Sequence, residues 1–393
     1  MNLTEICKKF PRSPVAVGVF ITRRHARDLI EMSPALVSSS RYIRFIELAE
    51  ANEDDVTLFF FSRDQVRFDR NQVLGIHYNP GARAWQLKPF PLPHLLYDRG
   101  GGMHPQAAPL LRKFRDLGIR NINARHFFDK WDLHFRLSKL DGMRPHLPAT
   151  VKGESAAHIL RVLQQHGSIY VKKRRGSAGL GVIRLERLGP DRFRYDYSHG
   201  SRLFSEVFSA GELLGILSRR LAPNSFIIQK PINLIRKGPC NIDFRSEVQR
   251  DGTGRLLVSG TTARIGRAGS PITSHTRTGD YFPLEEFLPS ILQLDARETR
   301  EWQEKIHRFL LTVFRSVEEA YGPFGEMGID FGLDARGQLW LIECNSKSAK
   351  VALYHAYGRQ KVRQSFRNFL QYAKSLAAER NHRKEGVQKT WLN

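Results

Sequence analysis

Four basic residues, Lys172, Lys173, Arg174 and Arg175, stand directly before Gly176, Gly179 and Gly181 in the stretch IYVKKRRGSAGLGVIRL. Its flanks alternate apolar and polar residues, which reads as strand, loop, strand. Glycines let backbone N–H groups come close to an anion and the basic side chains supply counter-charge, so the chemistry on offer is phosphate binding. Taken singly, Lys173, Arg174 and Arg175 read as solvated charge. The loop is not a Walker A loop: no Gly-Lys-Ser/Thr closes it, and a strand follows where a helix is required. A second set lies in GIDFGLDARGQLWLIECN. With Ala335 and Arg336 as a two-residue turn, Asp330 lies opposite Leu341 and diagonal to Glu343. Asp330, Glu343 and Asn345 then share one face, and Ile329, Phe331, Trp340 and Ile342 the other. Two carboxylates and an amide oxygen are hard ligands suited to Mg2+ held together with nucleotide phosphates. The same residues equally make the polar outer face of an antiparallel sheet.

The elements that must position these groups follow from periodicity. In NIDFRSEVQ, Ile242, Phe244 and Val248 face one way and Asn241, Asp243, Arg245, Glu247 and Gln249 the other. Arg245 is thereby left to pair with Asp243 or Glu247 on its own strand, or to face a phosphate. The turn RDGTG leads to an antiparallel partner, RLLVSGTTARIG. FFDKWDLHFRLSKL has helical apolar spacing with Asp129 placed to cap it, which sets Lys130 at the helix start, against the helix dipole. ESAAHILRVLQQHG and SAGELLGILSRRL read as helices, SFIIQKPI as a strand closed by Pro231, and TREWQEKIHRFLLTVFRSVEEAYG as a long amphipathic helix. Nearer the N-terminus, VAVGVFI and DVTLFFFS read as buried strands separated by helical spacing, an α/β domain of roughly one hundred residues. No G-x-G-x-x-G follows the first of these strands, so a dinucleotide site has no support.

Bulk composition narrows the class. The chain has 393 residues and a formal net charge of +23, spread along its length rather than gathered in one patch. Acidic partners are favoured, but no aromatic-basic motif supports nucleic acid. The three cysteines, Cys7, Cys240 and Cys344, have no paired spacing, which fits a reducing compartment, and Cys344 points to the apolar face of its strand. The longest apolar run, VTLFFF, is far short of a membrane span, and MNLTEICKKFPRSP lacks the apolar centre of a signal peptide. The histidines show no metal-ligand spacing.

In order along the chain stand a lysine strand, a glycine loop, an apolar hinge strand, a D-x-R strand, an arginine strand and the closing hairpin. That order resembles the ATP-grasp superfamily and, more narrowly, the YheC/YheD-type ATP-grasp proteins associated with bacterial endospore coats. The resemblance covers about residues 90–360, including LLYDR, FFDKW, HLPAT, NIDFRSEVQRDG and LWLIECN. It implies two α+β subdomains gripping ATP behind an N-terminal Rossmann-like preATP-grasp α/β domain. The implied divisions are 1–115 for that domain, 116–225 for the lysines and lid, 226–362 for hinge, arginines and metal site, and 363–393 for a C-terminal helix and basic tail.

The resemblance also implies roles. Lys130 and Lys172 look like the two nucleotide lysines, and Gly176, Ser177, Gly179 and Gly181 like the lid over the β- and γ-phosphates. Gln229, Lys230, Pro231 and Ile232 look like the hinge whose backbone reads adenine. Arg245 and Arg264, with Lys172, look like the groups facing the transferred phosphoryl, and Asp330, Glu343 and Asn345 like Mg2+ ligands. The segment SPITSHTRTGDY departs from the family pattern: Ser274, His275, Gly279 and Asp280 stand where an Asn and a glycine pair are usual. The implied activity is that of an ATP- and Mg2+-dependent carboxylate–amine ligase. Its carboxylate and amine are unnamed, and an acidic peptide or protein fits the basic charge; Arg99 is a candidate carboxylate anchor. A kinase on the same fold, or a coat scaffold that keeps ATP without turnover, stands beside it. The implied location is the cytoplasm, with association to the endospore coat, without membrane or nucleic-acid partners; oligomeric state is left open.

Overall fold

The computed structural model describes residues 15–31, 40–52, 56–176, 181–199, 202–270, 272–273 and 280–389. Two compact units divide the chain. The first takes the chain up to His126, Arg250–Arg255 and the chain from Val362 onward; the second takes Phe127–Gln249 and Leu256–Lys361.

In the first unit the apolar runs read from sequence become β1 (Val15–Phe20) and β2 (Val56–Phe61), parallel neighbours. Helices α1 (Arg23–Ile30) and α2 (Ser40–Glu50) lie between them in sequence. Strands β3 (Val66–Arg67), β4 (Gln72–Asn79), β5 (Ala84–Pro91) and β6 (Leu95–Asp98) follow, then α3 (Ala108–Asp116) and β7 (Arg120–Asn121). β1, β2, β6 and β7 are mutually parallel; β1 and β2 are apolar throughout and buried on both faces, as parallel strands usually are, while β7 is a short exposed polar strand at the sheet's edge. β3, β4 and β5 extend that sheet in antiparallel fashion, which departs from a plain doubly wound sheet. Pro89 and Pro91 sit in β5, at the sheet's edge, where a missing N–H costs no ladder bond. Phe20, Phe59, Phe61 and Phe114 form the core of this unit.

The second unit carries two antiparallel sheets. After α4 (Lys130–Leu137) come β8 (Thr150–Gly153), α5 (Ala156–His166), β9 (Ser168–Lys173) and β10 (Val182–Gly189). β11 (Arg192–His199), β12 (Arg202–Phe208), α6 (Ala210–Arg220) and β13 (Phe226–Gln229) complete the first sheet, ordered β12-β11-β10-β9-β13-β8. The second sheet contains β14 (Arg236–Lys237), β15 (Cys240–Arg250), β16 (Leu256–Ile265) and β17 (Asp280–Pro283). After α7 (Leu284–Ile291) and α8 (Ala296–Tyr321) it gains β18 (Glu326–Leu333) and β19 (Leu339–Asn345), in the order β17-β16-β15-β18-β19. The last helix, α9 (Val351–Lys389), breaks at Gly358, whose φ of 77° is left-handed.

Each sheet buries one face under helices. Ile159 and Leu163 of α5 and Leu213 and Leu217 of α6 pack on Ile169, Val171, Ile183, Leu185, Phe226 and Ile228. Ile306, Leu310, Val313 and Val317 of α8, spaced at helical intervals, pack with Phe244, Val248, Ile329 and Phe331. A capping box of Asp295 and Glu298 starts α8. Because strand side chains alternate, covering one face of each sheet leaves the polar residues between them on the opposite face, and these make the site.

Candidate active site

A cleft of about 1180 Å³, counted out to its open mouth, lies among the polar residues of the second unit's sheets. Ten of the residues singled out in the sequence line it: Lys130, Lys172, Gly176, Gln229, Lys230, Pro231, Ile232, Arg264, Asp330 and Glu343. Val182, Leu234, Ile272 and Ile342 give it an apolar portion beside the hinge residues 230–232. Ser177 and Gly179 lie outside the described residues, as do Ser274, His275 and Gly279. Gly181 has φ 79°, a left-handed backbone that asks for glycine, while the Lys173 side chain 3.0 Å from a Cβ there is flexible and could give way.

One wall is set by β9 and β13. Alternation sends Ile169 and Val171 to the core and Tyr170 and Lys172 to the cleft, with Gln229 beside Tyr170 in register. The Lys172 ammonium donates to Gln229 Oε1 at 2.6 Å, and Gln229 Nε2 donates to Thr150 Oγ1 at 2.9 Å. Burial pushes Lys172 down to about 8, Glu343 pulling it back up and the Lys130 charge pushing it further down. Thus the hinge glutamine, expected to contribute backbone, also contributes a side chain that steers the lysine. Lys130 opens α4 under the Asp129 cap, which accepts from the Trp131 and Asp132 N–H groups at 3.0 and 3.3 Å. Its ammonium donates to Glu343 Oε1 at 2.8 Å and to Gly176 O at 3.0 Å. Arg174 is not a solvated lid charge: its guanidinium grips Asp129 at 3.0 and 2.9 Å, and its carbonyl accepts from Lys130 N at 3.0 Å, which fastens the loop's start to α4.

The other wall is acidic in composition but closed on itself. The register of the β18–β19 hairpin corrects the sequence expectation. Asp330 pairs directly with Glu343, Phe331 pairs with Leu341, and the shift between them leaves Ile342 unpaired. A three-residue loop with Gly337 at φ 78° turns the chain instead of a two-residue one. The bulge puts Ile342 and Glu343, neighbours in sequence, both on the cleft. Ile342, expected on the far face with Ile329 and Phe331, is therefore a cleft residue, and Trp340 pairs with Gly332 rather than joining the core face, where Leu339, Leu341 and Cys344 lie.

Asp330 accepts from Arg245 Nε at 2.7 Å and Nη2 at 2.6 Å, from Arg264 Nη2 at 2.8 Å, and from Asn345 Nδ2 at 3.1 Å. Burial raises its carboxyl, but the Arg245 and Arg264 charges outweigh that and hold it down to about 2. Arg264 also grips Asp243 through two bonds of 2.7 Å, and the Thr273 hydroxyl donates to the same carboxylate. Arg245 thus pairs with Asp330, not with Asp243 or Glu247, and neither it nor Asn345 lines the cleft. Burial pushes the Cys344 thiol up, as befits a core residue. Thr150, Tyr170, Asp243 and Thr273 were not singled out as site residues. Only Asp243 carried a usable signal, two residues from Arg245 on the polar face of one strand.

The donor set fits a magnesium ion chemically: carboxylates from paired residues of adjacent strands, with an amide beside them, are hard oxygen ligands. Among the described residues no helix is long and apolar enough to cross a membrane.

Comparison with known proteins gives the same fold. The D-Ala:D-Ser ligase VanG of Enterococcus faecalis superposes with a TM-score of 0.55 at 12% identity, over 92% of this chain and 100% of that one. An ADP complex of Staphylococcus aureus N5-carboxyaminoimidazole synthetase superposes at 0.52 with 11% identity, over 93% and 79%. Among curated proteins, endospore coat-associated protein YheD of Bacillus subtilis strain 168 is 25% identical over 76% of this chain. The match spans 65% of YheD's own length. YheC of the same strain is 22% identical over 80% of this chain and 87% of its own. The model of the YheC/D like ATP-grasp family matches residues 118–376. These span both sheets of the cleft, and the chain belongs to that family.

Proposed function

We propose that the chain is an ATP- and Mg2+-dependent ligase that activates a carboxylate as an acyl phosphate for attack by an amine. The observation that carries this is the convergence, in one cleft, of Lys130, Lys172, Arg264, Asp330, Glu343 and the 230–232 hinge in a member of an ATP-grasp family. Val182, Leu234 and Ile342 with the hinge make the apolar slot for adenine, and Lys172 faces the phosphates. A carboxylate oxygen of the substrate attacks the γ-phosphorus, ADP leaves, and the amine then attacks the acyl carbon with release of phosphate. Mg2+ held by Asp330 and Glu343, with Asn345 bonded to Asp330 from behind the cleft wall, would neutralise charge building on the phosphates. No protein nucleophile is needed, since position and charge supply the catalysis.

The net charge of +23 supports an acidic acceptor such as a peptide or protein carboxylate. The names of YheD and YheC support a role at the endospore coat, and with it a second reading, a coat scaffold that binds ATP without turnover. Incubating the protein with Mg·ATP and pooled carboxylates and amines, and measuring ADP, separates the two. ADP release that depends on both an added carboxylate and an added amine supports the ligase. Tight Mg·ATP binding with no release under any pool supports the scaffold, and a phosphorylated product without amide means a kinase.

A further inference from the structure

The two arginines of the closed wall are not equivalent, and their difference gives Asp243 a task. Asp330 accepts four hydrogen bonds, two from Arg245, one from Arg264 and one from Asn345. A carboxylate has about four lone-pair sites, so Asp330 is saturated and can take a cation only where a donor withdraws. Arg245 supplies its two bonds from off the cleft wall, and among the described residues Asp330 is the carboxylate it bonds. Its withdrawal would break two charge-assisted bonds and leave a half-buried guanidinium without that partner, which is costly. Arg264 stands on the cleft wall and gives Asp330 one bond through Nη2, the nitrogen that also serves Asp243. If that bond opens, Arg264 keeps both bonds to Asp243.

We propose that Asp243 is a positioning residue: it holds Arg264 at the cleft wall by itself, so that Arg264 can release Asp330 Oδ1 to a divalent cation while Arg245 remains the permanent counter-ion of Asp330. Asp243 is 4% exposed, lines the cleft and sits two residues before Arg245 on the polar face of β15. Its carboxylate accepts from Arg264 and Thr273 and bonds neither Asp330 nor Glu343, so it acts on the metal ligands through Arg264. This rests on Asp330 and Glu343 being metal ligands.

The test is Mn2+ titration of the full chain with saturating ADP, reading free Mn2+ by electron paramagnetic resonance. Asp243→Asn ties Arg264 to Asp330 and weakens Mn2+ binding by about 10- to 100-fold, the worth of a hydrogen bond to a charged group. Asp243→Glu, which keeps the carboxylate, stays within about threefold of the native protein. In an Arg264→Met background, Asp243→Asn weakens binding by no more than about threefold, because the residue through which Asp243 acts is gone. Equal losses from Asp243→Asn in the two backgrounds would mean a general charge effect and overturn the proposal. So would a loss in Asp243→Glu as large as in Asp243→Asn, a comparison that stands even where Arg264→Met does not fold. Glu343→Gln is the separate control: undiminished Mn2+ binding in that variant means the metal lies elsewhere, and the site reading itself fails.

Discussion

The two walls of the cleft treat charge in opposite ways. On the β9–β13 wall, Lys172 is half-buried against a neutral glutamine, and desolvation lowers its pKa to about 8. On the β15–β19 wall, Arg245, Asp330, Arg264 and Asp243 alternate in sign and satisfy one another. Burial acts on both; only the second has opposite charges close enough to outweigh it. The lesson is that one wall carries unspent charge that an anionic ligand can complete, while the other is complete without ligand and must open to take a metal. Stability should therefore reside in the second wall and anion affinity in the first.

Breaking the second wall should have the largest effect. Asp330→Asn leaves the buried Arg264 and the half-buried Arg245 guanidiniums short of their shared carboxylate and should cost about 3–5 kcal/mol of unfolding free energy in urea titrations. The native protein should also lose stability as pH falls from the ordinary carboxylate range toward about 2, because a depressed carboxyl contributes stability above its unfolded value and loses it on protonation. The variant should lack that part of the acid transition. Lys172→Ala, on the first wall, should weaken Mg·ATP binding about 10- to 100-fold while leaving the urea midpoint unchanged or higher, since it removes a half-buried charge whose partner is neutral. A large stability loss in this variant would erase the contrast between walls.

Acid and base should separate the walls as mutations do. Phosphate binding favours the charged ammonium, so nucleotide affinity should fall as pH rises through about 8, and binding should take up protons over that same falling range and none well below it. Calorimetry in buffers of different ionisation enthalpy reads that uptake directly, and Lys172→Met should abolish it. The smallest change, Gln229→Glu, converts the first wall into a closed one. It should raise the Lys172 pKa, move the loss of affinity to higher pH, and weaken binding at neutral pH about threefold by offering the ammonium a competing anion.

Most of the second unit was legible because each site strand declares its parity. Ile242, Phe244 and Val248 are core, and Asp243, Arg245 and Glu247 lie opposite, as alternation requires. Asp129 caps α4 as its sequence position suggested. What parity cannot carry is an extra residue: the bulge at Ile342 leaves no mark in LWLIECN, since Leu and Ile suit either face. β12 went unread because RLFSEVF places Arg202, Phe204, Glu206 and Phe208 on one face and lacks a clean apolar period, whereas β11 was legible: RFRYDYSH sets Phe193, Tyr195 and Tyr197 against Arg192, Arg194 and Asp196, and Phe193 and Tyr195 are core. Pairing choices were beyond reach as well. A polar-faced arginine can meet several carboxylates, and only the cross-strand neighbour Asp330, distant in sequence, decided the partner of Arg245.

The measurement that bears most directly on the central claim is calorimetric titration of the native chain with ATP, with and without Mg2+, beside Glu343→Gln and Lys172→Ala. Binding that requires Mg2+ and is lost in both variants is the predicted result. A well-folded native protein that binds no Mg·ATP, or variants that bind it undiminished, would contradict the assignment of the nucleotide to this cleft.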